Sequence, residues 1–213
     1  MLESLAQYAS KTAAKLFLFA VVGTGILAYV FEETRTRIAQ SIQAEKMKLV
    51  TQIVPRAKFD NDPLQDTLTL PPNPQLGTDQ PSTVYRARLK GAPSMVILEV
   101  VAPDGYSGKI RLIVAIDTDA TISGVRVIQH KETPGLGDYI DIAKGNWIKI
   151  FEGASHTQYA ETDWQVKKDD GQFDYMTGAT ITPRAIVKAV HKALHYYEEN
   201  QERLFVKTIA SKN

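Results

Sequence analysis

The feature that most constrains this chain is an apolar run at residues 12–31, TAAKLFLFAVVGTGILAYVF, whose one charge is Lys15 near its start. A helix of that length spans the roughly 30 Å hydrocarbon core of a bilayer, and a lysine at its edge can snorkel to the interface. A cleaved signal peptide would have a shorter apolar stretch followed by a small-x-small site, but Glu32, Glu33, Thr34 and Arg35 come next. A buried soluble helix is the third reading, and helices this apolar rarely open a small domain. A transmembrane anchor is therefore expected at 12–31, behind a short tail at 1–11. Basic residues do not orient it, because Lys11 and Lys15 lie on one side and Arg35 and Arg37 on the other. Gly23-Thr24-Gly25 inside the run lacks the four-residue spacing of a helix-dimer motif, though it leaves room for another helix to approach.

Beyond the anchor, composition removes whole classes of function. Twenty-five basic against 24 acidic residues leave a formal charge of +1. With no net basic field to hold a phosphate backbone, nucleic-acid binding is set aside. Cysteine is absent, which excludes disulfides, thiolate metal sites, iron–sulfur clusters and cysteine nucleophiles. Any redox chemistry must then ride on a cofactor held by other groups.

Residues 32–54 contain no Gly or Pro and place Ile38, Ile42, Leu49 and Ile53 among polar residues, a helical pattern that Pro55 ends. Five of the ten prolines fall between positions 60 and 81, so 32–82 reads as a juxtamembrane helix and a proline-rich spacer. The folded domain is expected at 83–213. Strands are expected at 83–89, 95–101, 109–116 and 121–128, the second so continuously apolar that both its faces must be covered. Asp117 and Asp119 lie in a hairpin turn rather than a calcium loop, whose further ligands are missing. Residues 138–151 are expected to be partly helical, and a last helix to begin near Pro183. Strands first and a helix late predict an α+β domain with a mostly antiparallel sheet and flanking helices.

Two glycine-containing turns carry the chemistry. In Asp174-Tyr175-Met176-Thr177-Gly178-Ala179-Thr180-Ile181-Thr182-Pro183, Thr182 is the expected N-cap and Pro183 the first-turn proline. The Thr-Gly-Ala-Thr turn then lies just before a helix N-terminus, where orphan N–H groups and the positive dipole end favour a phosphate. The second turn is Glu132-Thr133-Pro134-Gly135-Leu136-Gly137. It suits a type II turn and a loop that lies flat against a planar ligand. Each alone reads equally well as an ordinary turn.

Taken together, the anchor, the spacer, the strand block and these two turns resemble the G subunit of the Rnf/Rsx electron-transport complex. That family carries an FMN-binding domain and is related to the C subunit of the sodium-translocating NADH:quinone reductase. The resemblance implies a covalent FMN, one per chain, joined by a phosphoester to Thr180, the last threonine of the Asp-x-x-Thr-Gly-Ala-Thr motif. Asp174, Thr177, Gly178 and Ala179 would complete that signal, and Glu132, Thr133, Leu136 and Lys167 are candidate flavin contacts. It also implies a separate flavin transferase using FAD, since a threonine hydroxyl needs a base this chain does not visibly supply. No residue is expected to be catalytic, and no turnover is expected from the chain alone. The neighbours implied are other Rnf/Rsx subunits, including a second covalent-flavin membrane protein, in an ion-translocating translocase linking ferredoxin and NAD(H). The implied location is a bacterial inner membrane with the domain periplasmic. Alternatives are the related quinone-reductase protein, or a membrane-tethered module without flavin. His191 and His195 stand four apart on the last helix, but without a third ligand in view no metal site is expected.

Overall fold

The computed structural model describes residues 2–206. The first residue of the expected tail and the end of the expected domain, residues 207–213, lie outside the described residues. The chain divides into two compact units at 46/47.

The described residues of the first unit are all helical, the leading part of α1 (Leu2–Ile53). Within it Gln7–Arg35 is long and apolar enough to cross a membrane, and none of its most apolar window is buried. Phe17, Phe19, Leu27 and Tyr29 are each more than two-thirds exposed. Water is a poor solvent for so continuous an apolar surface.

The second unit is an α+β domain around one antiparallel five-stranded meander in the order β1-β2-β3-β4-β5. The strands are β1 (Thr67–Leu70), β2 (Ser82–Leu89), β3 (Ala92–Ala102), β4 (Ile110–Asp117) and β5 (Ile122–Gln129). The four expected strands are present within a few residues at each end. The hairpin expected at 117–120 is present too, with Ala120 N–H donating to the Asp117 carbonyl at 3.0 Å. The Asp117 carboxylate accepts from the Lys58 ammonium and the Ser123 hydroxyl.

Alternation along the strands divides the core in two. Val96, Leu98 and Val100 of β3, with Leu112 and Val114 of β4, face α2 (Ile181–Phe205) and its Ile186, Val190, Ala193, Leu194 and Tyr197. Met95, Ile97, Ile113 and Ala115 point to the other face, beneath Leu49, Val50, Ile53 and Val54 at the end of α1. Both faces of β3 are thus covered, as its continuous apolarity requires. Gly124 of β5 lies against Ile53, whose side chain a Cβ there would meet at 3.1 Å.

The proline-rich segment is not a spacer. Thr67–Leu70 pairs along β2 as an edge strand. Leu76 is fully buried, and the Leu76 carbonyl accepts from Val101 N–H at 2.8 Å. Burial of Leu70 and Leu76 in the main core ties the segment to the domain. The region expected to be partly helical contains two 3-10 turns, Asp138–Ile140 and Trp147–Phe151, which bury Ile140, Ile148 and Phe151.

Candidate functional site

The helix start differs from expectation by two residues. α2 begins at Ile181, and Thr180 occupies the N-cap position without a side-chain cap hydrogen bond. The first helical bond runs from Arg184 N–H to the Thr180 carbonyl at 3.3 Å. N–H groups of a first helical turn have no intrahelical acceptor, so they face what lies before the helix together with the positive dipole end. Thr182 is therefore inside the helix rather than capping it. Its hydroxyl donates to Glu132, because a carboxylate is a stronger acceptor than the alternative its own backbone offers.

Glu132 is the hinge between the two turns. It is 4% exposed, and its Oε1 accepts from Ser107 N–H at 3.0 Å while Oε2 accepts from Thr182. The loop after β5 closes on itself here. Leu136 and Gly137 N–H both donate to the Thr133 carbonyl, at 3.1 and 3.0 Å, and Gly135 N–H donates to Asp138 Oδ1 at 2.8 Å. Gly135 has φ +75°, the left-handed position a type II turn demands of its third residue. Gly137 is small for a different reason. A Cβ there would lie 2.9 Å from Glu132 Oε2 and 3.1 Å from Thr182 Oγ1, where loop and helix meet.

On the other side, Gly178 has φ +90° and Ala179 N–H donates to the Met176 carbonyl at 3.0 Å. The turn is carried by the two 3-10 turns. Trp147 donates its indole N–H to the Asp174 carbonyl at 2.7 Å, and the Tyr139 hydroxyl accepts from Met176 N–H at 3.3 Å. Burial pushes the Tyr139 phenol upward, more than the Met176 bond lowers it, so it stays neutral as an acceptor. Tyr139 and Trp147 meet edge to face at 5.5 Å, and Trp147 meets Phe151 likewise.

Between the two turns lies a cleft of about 270 Å³. Of the residues expected at the site, it is lined by Glu132, Thr133, Leu136, Gly178, Ala179 and Thr180. Asp174, Thr177 and Lys167 do not line it. Lys167 pairs with Asp174 at 2.6 Å with both side chains more than half exposed, and Thr177 is exposed on the turn. Sequence reasoning did not select Tyr106, Ile181 and Thr182 as lining residues. Tyr106 had one readable signal, an aromatic set between Gly105 and Gly108 on a turn.

The arrangement fits a flavin phosphate and ring. Thr180 is 8% exposed on the cleft wall, and among the described residues its hydroxyl has no hydrogen-bond partner. It sits where the helix N-terminus favours an anion. Tyr106, Leu136 and Ile181, each 46% or more exposed, give the cleft an apolar lip. Exposed apolar side chains around a pocket with a few convergent polar groups are how planar cofactors are held.

Two family models match the chain. One, described as the RnfG N-terminal region, covers residues 1–53, and the other, described as an FMN-binding domain, covers 105–195. Several curated relatives are named as the G subunit of an ion-translocating oxidoreductase complex. That of Pseudomonas aeruginosa (strain UCBPP-PA14) is 46% identical over 194 residues, 91% of each chain. That of Pseudoalteromonas atlantica is 43% identical over 199 residues, 93% of each. One from Vibrio cholerae is 44% identical over 194 residues, 91% of this chain and 92% of the relative.

Proposed function

The chain belongs to the RnfG family, the G subunits of ion-translocating oxidoreductase complexes, and from that premise we propose that it relays electrons through an FMN esterified to Thr180. The observation that carries this reading is the position of Thr180. A free hydroxyl on the wall of a cleft, at a helix N-terminus, opposes a loop with an apolar lip. When bound, FMN supplies one- and two-electron transfer, which no side chain here performs.

The residues divide the work of holding it. Thr180 Oγ1 provides the ester oxygen, and the first turn of α2 favours the phosphate charge. Leu136, Tyr106 and Ile181 shield one side of the ring from water. Glu132 does not touch the reacting atoms. It fixes the loop to the helix by accepting from Ser107 N–H and the Thr182 hydroxyl. With Glu132 so engaged, no described carboxylate or imidazole hydrogen-bonds Thr180. The base must come from a flavin transferase, with FAD as donor and AMP as the leaving group when Thr180 Oγ1 bonds to the FMN phosphorus. The exposed Asp174 and Thr177 are positioned for that enzyme to read. Around this chain we place other Rnf subunits, a second covalent-flavin protein among them. The span at Gln7–Arg35 anchors it in a bacterial inner membrane with the second unit on the periplasmic side.

Two variants co-expressed with the transferase test the acceptor. Thr180→Val keeps the shape and removes the oxygen, so intact mass should show no flavin. Thr182→Val should remain flavinylated but lose about 1–3 kcal/mol, because it strips buried Glu132 of one partner. Retention of flavin by Thr180→Val would overturn the assignment.

A further inference from the structure

We infer that a second site, remote from the flavin cleft, binds one divalent transition-metal cation of the zinc class through His156, His191, His195 and Glu161. His191 and His195 are one turn apart on α2. The fold brings them a third imidazole from the loop after Phe151 and a carboxylate from the 3-10 turn Glu161–Asp163. One donor atom from each of the four lies within 4.8 Å of every other. Four donors at zinc-ligand bond lengths around a tetrahedral ion sit roughly 3.4 Å apart, so small side-chain rotations complete the shell. Three of the four histidines in the chain converge here.

The contacts are those of ligands and their supports. Glu161 lies 3.3 Å from His191 Nε2 and 2.7 Å from His195 Nε2, one oxygen toward each ring. Nε2 of His156 and of His191 are both buried without a hydrogen-bond partner, and the Glu161 carboxylate 3.3 Å from the His191 nitrogen would be its co-ligand once a cation takes the place of a proton. The far nitrogen of His156, Nδ1, is 2.8 Å from Glu198 Oε2. That is the carboxylate–imidazole arrangement that fixes tautomer and ring orientation behind a metal ligand. Trp164 stacks on His191 with ring centroids 4.9 Å apart and planes 2° from parallel, locking that ring. A surface charge network would need none of this orientation. Three imidazoles, one carboxylate and no thiolate suit Zn²⁺ and its borderline neighbours, not Ca²⁺ or Mg²⁺, which take oxygen donors. Four protein ligands from three segments make a structural staple, joining residues 156–161 to the middle of α2. His191 is eleven residues beyond Thr180, or about 16 Å along the helix, so the two sites are separate.

Full-length chain, purified in detergent and stripped with EDTA, is titrated with Zn²⁺ and separately with Co²⁺. One equivalent should bind, with the intense visible absorption of tetrahedral cobalt and a Tm rise of about 5 °C at hundredfold excess over Kd. Glu161→Gln and His195→Gln, both at partly exposed positions, should weaken binding at least tenfold, and Glu198→Gln about tenfold. Mg²⁺ should neither bind nor compete. Thr180→Val should bind zinc like the parent, which separates failure here from failure of the flavin assignment. No saturable uptake, octahedral cobalt spectra, or affinity unchanged in Glu161→Gln and His195→Gln would overturn the site.

Discussion

Leu136 and Thr182 show how a single side chain's partner decides its role. Leu136 is half exposed at the lip of the cleft although the loop beneath it is tightly bonded. Its place on the cleft wall, beside Tyr106 and Ile181, is what points to a planar ligand over it. Leu136→Asp should therefore shift the flavin's absorbance or midpoint potential while the mass of the flavinylated chain is unchanged but for the substitution. An unchanged spectrum and potential would remove the loop from the ring. Local turn chemistry made the two turns legible but not their meeting; that Thr180, Gly178, Thr133 and Glu132 share one cleft was an expectation from the family resemblance. Thr182 was not legible as a partner of Glu132. Its hydroxyl bonds a residue 50 positions away, and no local rule anticipates that choice over an N-cap.

Among the elements, β2 and α2 are tied together by charge as well as by apolar packing. Asp66 lies between Arg86 and Arg88 of β2, each at 2.6 Å. The same arginines donate to the carbonyls of Val206 and Phe205 at the end of α2, satisfying acceptors a helix C-terminus leaves open. Burial pushes the Asp66 carboxyl upward, but the Arg88 hydrogen bond and the two guanidinium charges outweigh it and hold the carboxyl below its ordinary value. A depressed folded value means the contribution is present above the unfolded carboxylate range and lost as pH falls through the folded one. Thermal unfolding should thus show acid destabilisation starting below about pH 4. Asp66→Asn should cost roughly 3 kcal/mol at neutral pH and flatten that acid limb. An acid limb identical in both proteins would contradict the pairing. β2 through β5 were readable from runs of β-forming residues bounded by turns, alternating in β2 and continuously apolar in β3. β1 was hidden among prolines, since its four residues gain their stability from pairing and from burying Leu70.

For the molecule as a whole, the two units make different demands on solvent. Removing residues 1–46 should yield a detergent-free, folded chain, because the sheet face remains covered by Leu49, Val50, Ile53 and Val54. Extending the deletion through 54 uncovers those contacts, worth roughly 1.5 kcal/mol or more for each large side chain. Against a typical domain stability of about 5–15 kcal/mol that loss should abolish cooperative unfolding. A soluble full-length chain, or a reporter after Asn213 active only in the cytoplasm, would contradict the anchored periplasmic arrangement. At this scale the sequence was least informative about the histidines. The spacing of His191 and His195 was visible, whereas His156 and Glu161 reach them only through loops whose course follows from tertiary packing.

The covalent tether is tested most directly by fragmenting one peptide. Trypsin cuts after Lys168 and Arg184, releasing residues 169–184 with Thr177, Thr180 and Thr182 together. From chain matured with its flavin transferase, this peptide should carry one FMN phosphoryl group, and backbone fragments should place it on Thr180. An unmodified peptide, or a flavin on Thr177 or Thr182, would contradict the account.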